Sequence, residues 1–173
     1  AGEALGVRRV IEALNRTLDR PHRPVTILLE NTAGSGHAVG SRFEQLAAIR
    51  DGVEHKTRVG VCLDTAHLFA AGFAIHTEDG LEQTLRAFDG AVGLAHARLM
   101  HLNDSKAPFG ARVDSHWHIG EGHIGRDAFR RILAHPGWRD VPMILETPKS
   151  SEAEDRRNLA TVRRLAGGSP RRR

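Results

Sequence analysis

Four short apolar runs each end in a side chain able to hold a proton or a metal ion. VTILL is followed by Glu30, VGVCL by Asp64, ARLM by His101 and VPMIL by Glu146. The runs lack polar alternation, as expected of parallel strands covered by helices outside and packed side chains inside. Each interval between successive run ends exceeds the roughly 30 residues that a strand-helix-strand crossover needs. One charged or imidazole group per strand end, unit after unit, is how a parallel α/β barrel builds a site on one rim. The pattern therefore predicts an α/β chain organised as part of a (β/α)8 TIM barrel.

The intervals hold plausible helices. Ser41 and Glu44 read as a capping box, followed on one face by Phe43, Leu46, Ala47, Ile49 and Val53. Leu81, Leu85, Phe88 and Val92 repeat the helical period in the next interval, and Phe129, Ile132 and Leu133 in the third. Val7, Val10, Ile11, Leu14 and Leu18 mark an opening helix, and Leu159, Val162 and Leu165 a closing one. That makes four strand-helix units, about half of a closed barrel of about 250 residues. With no initiator Met, the chain reads as the carboxyl-terminal portion of a longer protein. Residues 1–168 are expected to form one partial barrel domain, and residues 169–173, ending in Arg171, Arg172 and Arg173, a basic disordered tail.

A chain of 173 residues with a formal charge of +4 suits one soluble core. No apolar run nears the roughly 20 residues of a membrane helix, so no membrane role is expected. Cys62, the only cysteine, lies inside an apolar strand and reads as a buried, inert thiol. Without a disulfide framework or a leader sequence, a cytoplasmic location is the natural expectation.

The segment from Met100 to Gly125 is densest in chemistry, with His101, Asp104, Asp114, His116, His118, Glu121 and His123. Asp114 and His116, two apart, leave the same face of an extended loop and suit one ion. Asp64 and His67 sit at a strand end and in the turn beyond, placed to serve two neighbouring ions. A donor set of carboxylates and imidazoles without thiolate favours a water-accessible catalytic metal site over a closed structural one. Taken singly, a strand-end carboxylate equally suits capping of the next helix. His37, His55, His76 and His96 fall in loops or on helix surfaces and receive no role.

ENTAGSG (30–36), GVCLDTAHLFAAGF (60–73), MHLNDSKAPFGARVDSHWHIGEGHIG (100–125) and ILETP (144–148) closely resemble the endonuclease IV family of apurinic/apyrimidinic endonucleases, barrels of the xylose-isomerase-like type. The resemblance spans nearly the whole chain. It implies a site for three Zn2+ ions: Glu30 bridging the first and second, Asp64, His101 and Glu146 completing the second, and His67, Asp114 and His116 holding the third. The first ion's two remaining histidines have no counterpart here. Ala66 and Ser115 depart from the family's usual Cys and Arg, and Ser115 removes a cation beside the metals.

The same resemblance implies hydrolysis of the phosphodiester 5′ to an abasic site in double-stranded DNA, leaving a 3′-hydroxyl and a 5′-deoxyribose phosphate. Glu30 and Glu146 would be catalytic, orienting the attacking water and handling its proton. The full-length enzyme is expected to be a monomer, and this portion alone to be inactive and prone to associate. A sugar isomerase or epimerase using one or two divalent ions would account for Glu30, Asp64, His101 and Glu146 but not for His67, Asp114 and His116. A noncatalytic barrel that binds DNA through its basic surface is the remaining alternative.

Overall fold

Apolar periodicity places most of the elements. The computed structural model describes residues 2–19 and 25–167, so the Arg171–Arg173 tail lies outside the described residues. In chain order the elements are α1 (Glu3–Leu18), β1 (Ile27–Glu30), α2 (Phe43–Gly52), β2 (Val59–Asp64), α3 (Thr65–Ala71), α4 (Glu78–Ala91), β3 (Ala97–His101), β4 (Asp104–Ser105), β5 (His116–Trp117), α5 (Arg126–Ala134), β6 (Met143–Ile144) and α6 (Glu152–Leu165). Strands β1, β2, β3 and β6 form one parallel sheet in that order, and β4 and β5 form a small antiparallel pair above it. Strictly sequential parallel pairing with a helix after each strand is four units of a (β/α) barrel wall. No helix among the described residues is long and apolar enough to cross a membrane.

Strand β2 is buried along its whole length, as its unbroken apolar sequence requires. Leu46, Ile49, Leu81, Leu85, Phe88, Phe129 and Ile132 from the helices share one apolar core with its residues Val59, Val61 and Leu63. Phe43 stacks on Phe73 at 4.5 Å between ring centres and meets the edge of Phe88 at 5.2 Å, joining α2 to α4. Val7, Val10, Ile11 and Leu14 lay α1 against the same core.

Three sequence expectations shift. The cap of α2 is made by Gln45, whose Oε1 accepts the Gly40 amide at 2.8 Å and the Arg42 amide at 3.3 Å, while Glu44 faces solvent. Gln reaches back as Glu does, but one residue later. Strand VPMIL narrows to Met143–Ile144, leaving Glu146 two residues beyond the ladder. On α6 Val162 and Leu165 pack against the core as expected, but Leu159 is 43% exposed, whereas Asn158 and Thr161 are buried.

Candidate metal centre

Parallel pairing brings the strand ends into one neighbourhood, but not level. Asp64 stands opposite His101, Glu30 opposite Cys62, and His101 opposite Ile144. This is the stagger of strands tilted against a barrel axis. Side chains two apart share a face, so Cys62 and Asp64 both flank Glu30.

Two groups of donors result. In the first, His101 Nδ1 lies 3.1 Å from Glu30 Oε1, 3.2 Å from Glu146 Oε2 and 3.8 Å from Asp64 Oδ2. The four donors fall within 4.8 Å of one another. In the second, His67 Nε2, His116 Nε2 and Asp114 Oδ1 form a near-equilateral triangle: 3.2 Å between the imidazoles, and 3.2 and 3.3 Å from them to the carboxylate. Asp64 Oδ2 is 3.5 Å from His116 Nε2 and joins the two groups. A tetrahedron with metal-ligand bonds of about 2.0–2.1 Å has edges of about 3.3 Å, so this spacing fits a zinc-sized ion.

Backbone carbonyls set the tautomers. His67 Nδ1 lies 2.8 Å from the Asn31 carbonyl and His116 Nδ1 3.2 Å from the Glu146 carbonyl, so each donates there and, in its neutral form, turns its Nε2 lone pair inward. Two lone pairs and a carboxylate oxygen aimed at one point call for a cation between them. Burial disfavours charge on His67, but the Glu30 hydrogen bond, the charges of Asp64 and Asp114 and the Asn31 carbonyl outweigh it and lift its pKa to about 9. Glu30, despite burial, is held below the usual carboxylate range by His67 and His101. Burial first, then the charges of Glu30 and Asp64, pushes the Cys62 thiol up to about 12, so it stays a neutral neighbour.

Asp64 carries both roles its sequence position allowed. Its Oδ1 caps α3 by accepting the His67 amide at 3.0 Å, while Oδ2 faces the donor groups. That short helix, absent from the sequence reading, is what carries His67.

A belt of side chains extends the sheet past its last rungs. Asn31 pairs with the backbone of Asp64, accepting its amide at 2.7 Å. Thr65 Oγ1 donates to the Asn103 carbonyl at 2.7 Å and lies 2.9 Å from the Asn103 amide. Asn103 accepts the Glu146 amide at 2.8 Å and donates to Asp64 Oδ2 at 2.6 Å. The residue next to a strand-end donor, or next but one, thus locks that strand to its neighbour. These residues were missed in the sequence, although each directly follows or nearly follows a candidate.

The other members of the Met100–Gly125 segment stand outside the donor groups. Asp104, fully buried, accepts the amides of Ser105 and Ile124 on Oδ1 and of Gly120, Gly122 and Gly125 on Oδ2. It folds the glycine-rich loop onto β4. A Cβ at Gly122 would collide with the Ser105 carbonyl and stand 2.6 Å from Asp104 Oδ1, which is why that position needs glycine. His118 is buried against Asn158, Glu121 lies 3.9 Å from Arg157, and the His123 amide bonds Ser105. Before Asp114 the chain turns at Arg112, in the left-handed region at φ 54, fixed by its amide to Ala70 and by Ser35 Oγ to its carbonyl.

Comparison with known proteins places this arrangement in context. Residues 2–165 match the family described as the xylose isomerase-like TIM barrel. The chain is 51% identical over 169 residues to the probable endonuclease 4 of Solibacter usitatus, covering 96% of this chain and 56% of that protein. It is 46% identical over 168 residues to the probable endonuclease 4 of Methanoculleus marisnigri, covering 96% and 60%. The crystal structure of endonuclease IV from Thermus thermophilus superposes with a TM-score of 0.77 at 42% identity, over 93% of this chain and 56% of that one. The chain thus spans little more than half the length of the relatives it matches.

Proposed function

Because this chain belongs to the xylose isomerase-like TIM barrel family, we propose that it is the metal-bearing carboxyl-terminal part, residues 1–168, of a zinc-dependent apurinic/apyrimidinic endonuclease. The substrate is double-stranded DNA carrying an abasic site, cut on its 5′ side to leave a 3′-hydroxyl and a 5′-deoxyribose phosphate. The full-length enzyme is taken to be a cytoplasmic monomer holding three zinc ions. The names of the similar proteins support this reading, and so does the chemistry of the site.

The observation that carries it is the second donor group. A sugar isomerase is served by Glu30, Asp64, His101 and Glu146 alone. The triangle of His67, Asp114 and His116, at the spacing of zinc ligands, offers donors for a further ion beside them.

Bound zinc supplies an activated water and neutralises charge on the phosphoryl oxygens. The chain's own residues do the rest. Glu30 and Glu146, both within 3.2 Å of His101 Nδ1, orient the attacking water and manage its proton. Asn103 fixes the backbone of Glu146 and one oxygen of Asp64, so the carboxylates arrive oriented.

The test is incision of a duplex containing one tetrahydrofuran site by the full-length protein, as wild type and as Glu146→Gln. A loss of roughly 100-fold or more is expected for a residue that handles the proton. Equal rates would reject the assignment. Metal content separates the isomerase alternative, since one or two exchangeable ions per full-length chain would favour it over three zincs.

A further inference from the structure

We propose that Asn158 is a positioning residue of the metal centre, bolting the loop that carries Glu146 to the loop that carries Asp114 and His116. The inference rests on the metal reading above. Asn158 lies on α6 and is only 2% exposed. Its Nδ2, with two hydrogens to share, lies 3.0 Å from Thr147 Oγ1, 3.1 Å from His118 Nδ1 and 3.1 Å from the Glu154 carbonyl, while its Oδ1 accepts the Ile119 amide at 3.0 Å. Thr147 directly follows Glu146, and His118 is two residues past His116.

The belt of strand-end side chains explains why this contact matters. After β1, β2 and β3 the belt residues Asn31, Thr65 and Asn103 reach the next strand. After β6 the corresponding residue is Thr147, and among the described residues its hydroxyl pairs with Asn158 instead. One buried carboxamide therefore ends the belt and ties it to the far loop. Among the described residues, His116 Nδ1 also meets the Glu146 carbonyl at 3.2 Å, a direct link between the two segments. Asn158 braces that contact from both sides, holding the His116 ring at the distance from Glu146 and His67 that both donor groups need. A buried asparagine in a helix interior is otherwise unfavourable, because its propensity is low and its amide needs every partner it has here.

The experiment measures zinc affinity of the 173-residue chain by competition with a chromophoric chelator. It compares wild type, Asn158→Leu, Asn158→Asp, and Leu85→Ala, a core truncation on α4 remote from the site. Asn158→Asp keeps the acceptor for Ile119 but has no hydrogens for Thr147 and His118. Both Asn158 variants are expected to bind zinc about 10- to 100-fold more weakly. Leu85→Ala should lower resistance to urea and leave zinc affinity unchanged. Wild-type affinity in a folded Asn158 variant overturns the proposal, as does an equal loss in Leu85→Ala. Should Asn158→Leu fail to fold, Asn158→Asp decides. A wild-type chain that binds no zinc sinks the metal reading itself, an outcome distinct from the others.

Discussion

His67 and His116 face each other through their Nε2 atoms at 3.2 Å, each having given its Nδ1 hydrogen to a backbone carbonyl. Neutral imidazoles held this way repel, and the Asp114 carboxylate beside them adds negative charge. The arrangement is stable only with a proton or a metal ion in the gap, and from that follow the consequences for zinc and pH taken up last.

Asp104 is expected to be among the most sensitive positions in the chain. Its carboxylate accepts five backbone amides in a fully buried site. Asp104→Asn replaces one acceptor oxygen with a donor, and each orphaned buried amide costs about 1–3 kcal/mol. We expect a loss of about 3 kcal/mol or more by urea denaturation, with Gly122→Ala in the same range. A change under about 1 kcal/mol would show that the loop does not depend on this anchor.

Cys62 should be silent toward thiol reagents. With its thiol raised to about 12 by burial and by the charges of Glu30 and Asp64, the folded, chelated protein carries almost no thiolate at pH 8. Because the folded value lies above the unfolded one, the protonated thiol favours the fold fully below about pH 8.5 and progressively less as pH rises toward 12. Reaction with a disulfide reagent at pH 8 should therefore track unfolding in urea. Rapid labelling in buffer would contradict this.

The first three strand-end donors were legible because apolar runs and their punctuation survive in sequence, and Glu146 was legible although its strand shrank to two residues. Helix α3 was not, since seven residues hold too few turns to display a period. On α6 Val162 and Leu165 were read correctly, and the two most buried positions were missed for a related reason. Those residues, Asn158 and Thr161, are polar, so hydrophobic spacing pointed to Leu159 instead. Asn31, Thr65 and Asn103 were invisible as a belt because an Asn or Thr after a strand serves many local turns, and only the strand order reveals which neighbour it meets.

Open edges should govern the solution behaviour of the chain. Among the described residues β1 and β6 each pair on one side only, and Ile144 on β6 is 49% exposed. Unpaired strand edges template association. Light scattering after size exclusion should show mass rising with concentration, and Ile144→Lys should reduce it. A monomer at every concentration would mean that the edges are protected.

Zinc and protons should compete for the gap between His67 and His116, with opposite effects on how stability varies with pH. In the metal-free protein the His67 pKa is raised to about 9, above its unfolded value. Its proton therefore stabilises the fold fully below about pH 6.5, and that contribution is lost as pH rises through 9. The chelated chain should thus lose thermal stability between pH 6.5 and 9. Zinc needs the deprotonated ring, so its uptake at pH 7 should release protons, and apparent affinity should climb over the same interval. At 100 to 1,000 times the dissociation constant the ion adds about 2.7–4 kcal/mol. The zinc-loaded chain should then be the more stable form by a margin that widens toward pH 9. His67→Ala removes both the proton site and the ligand, so it should flatten the pH dependence of the chelated chain and shrink the zinc-induced rise in Tm together. If that variant kept the zinc response but lost the pH response, proton and metal would not share the site.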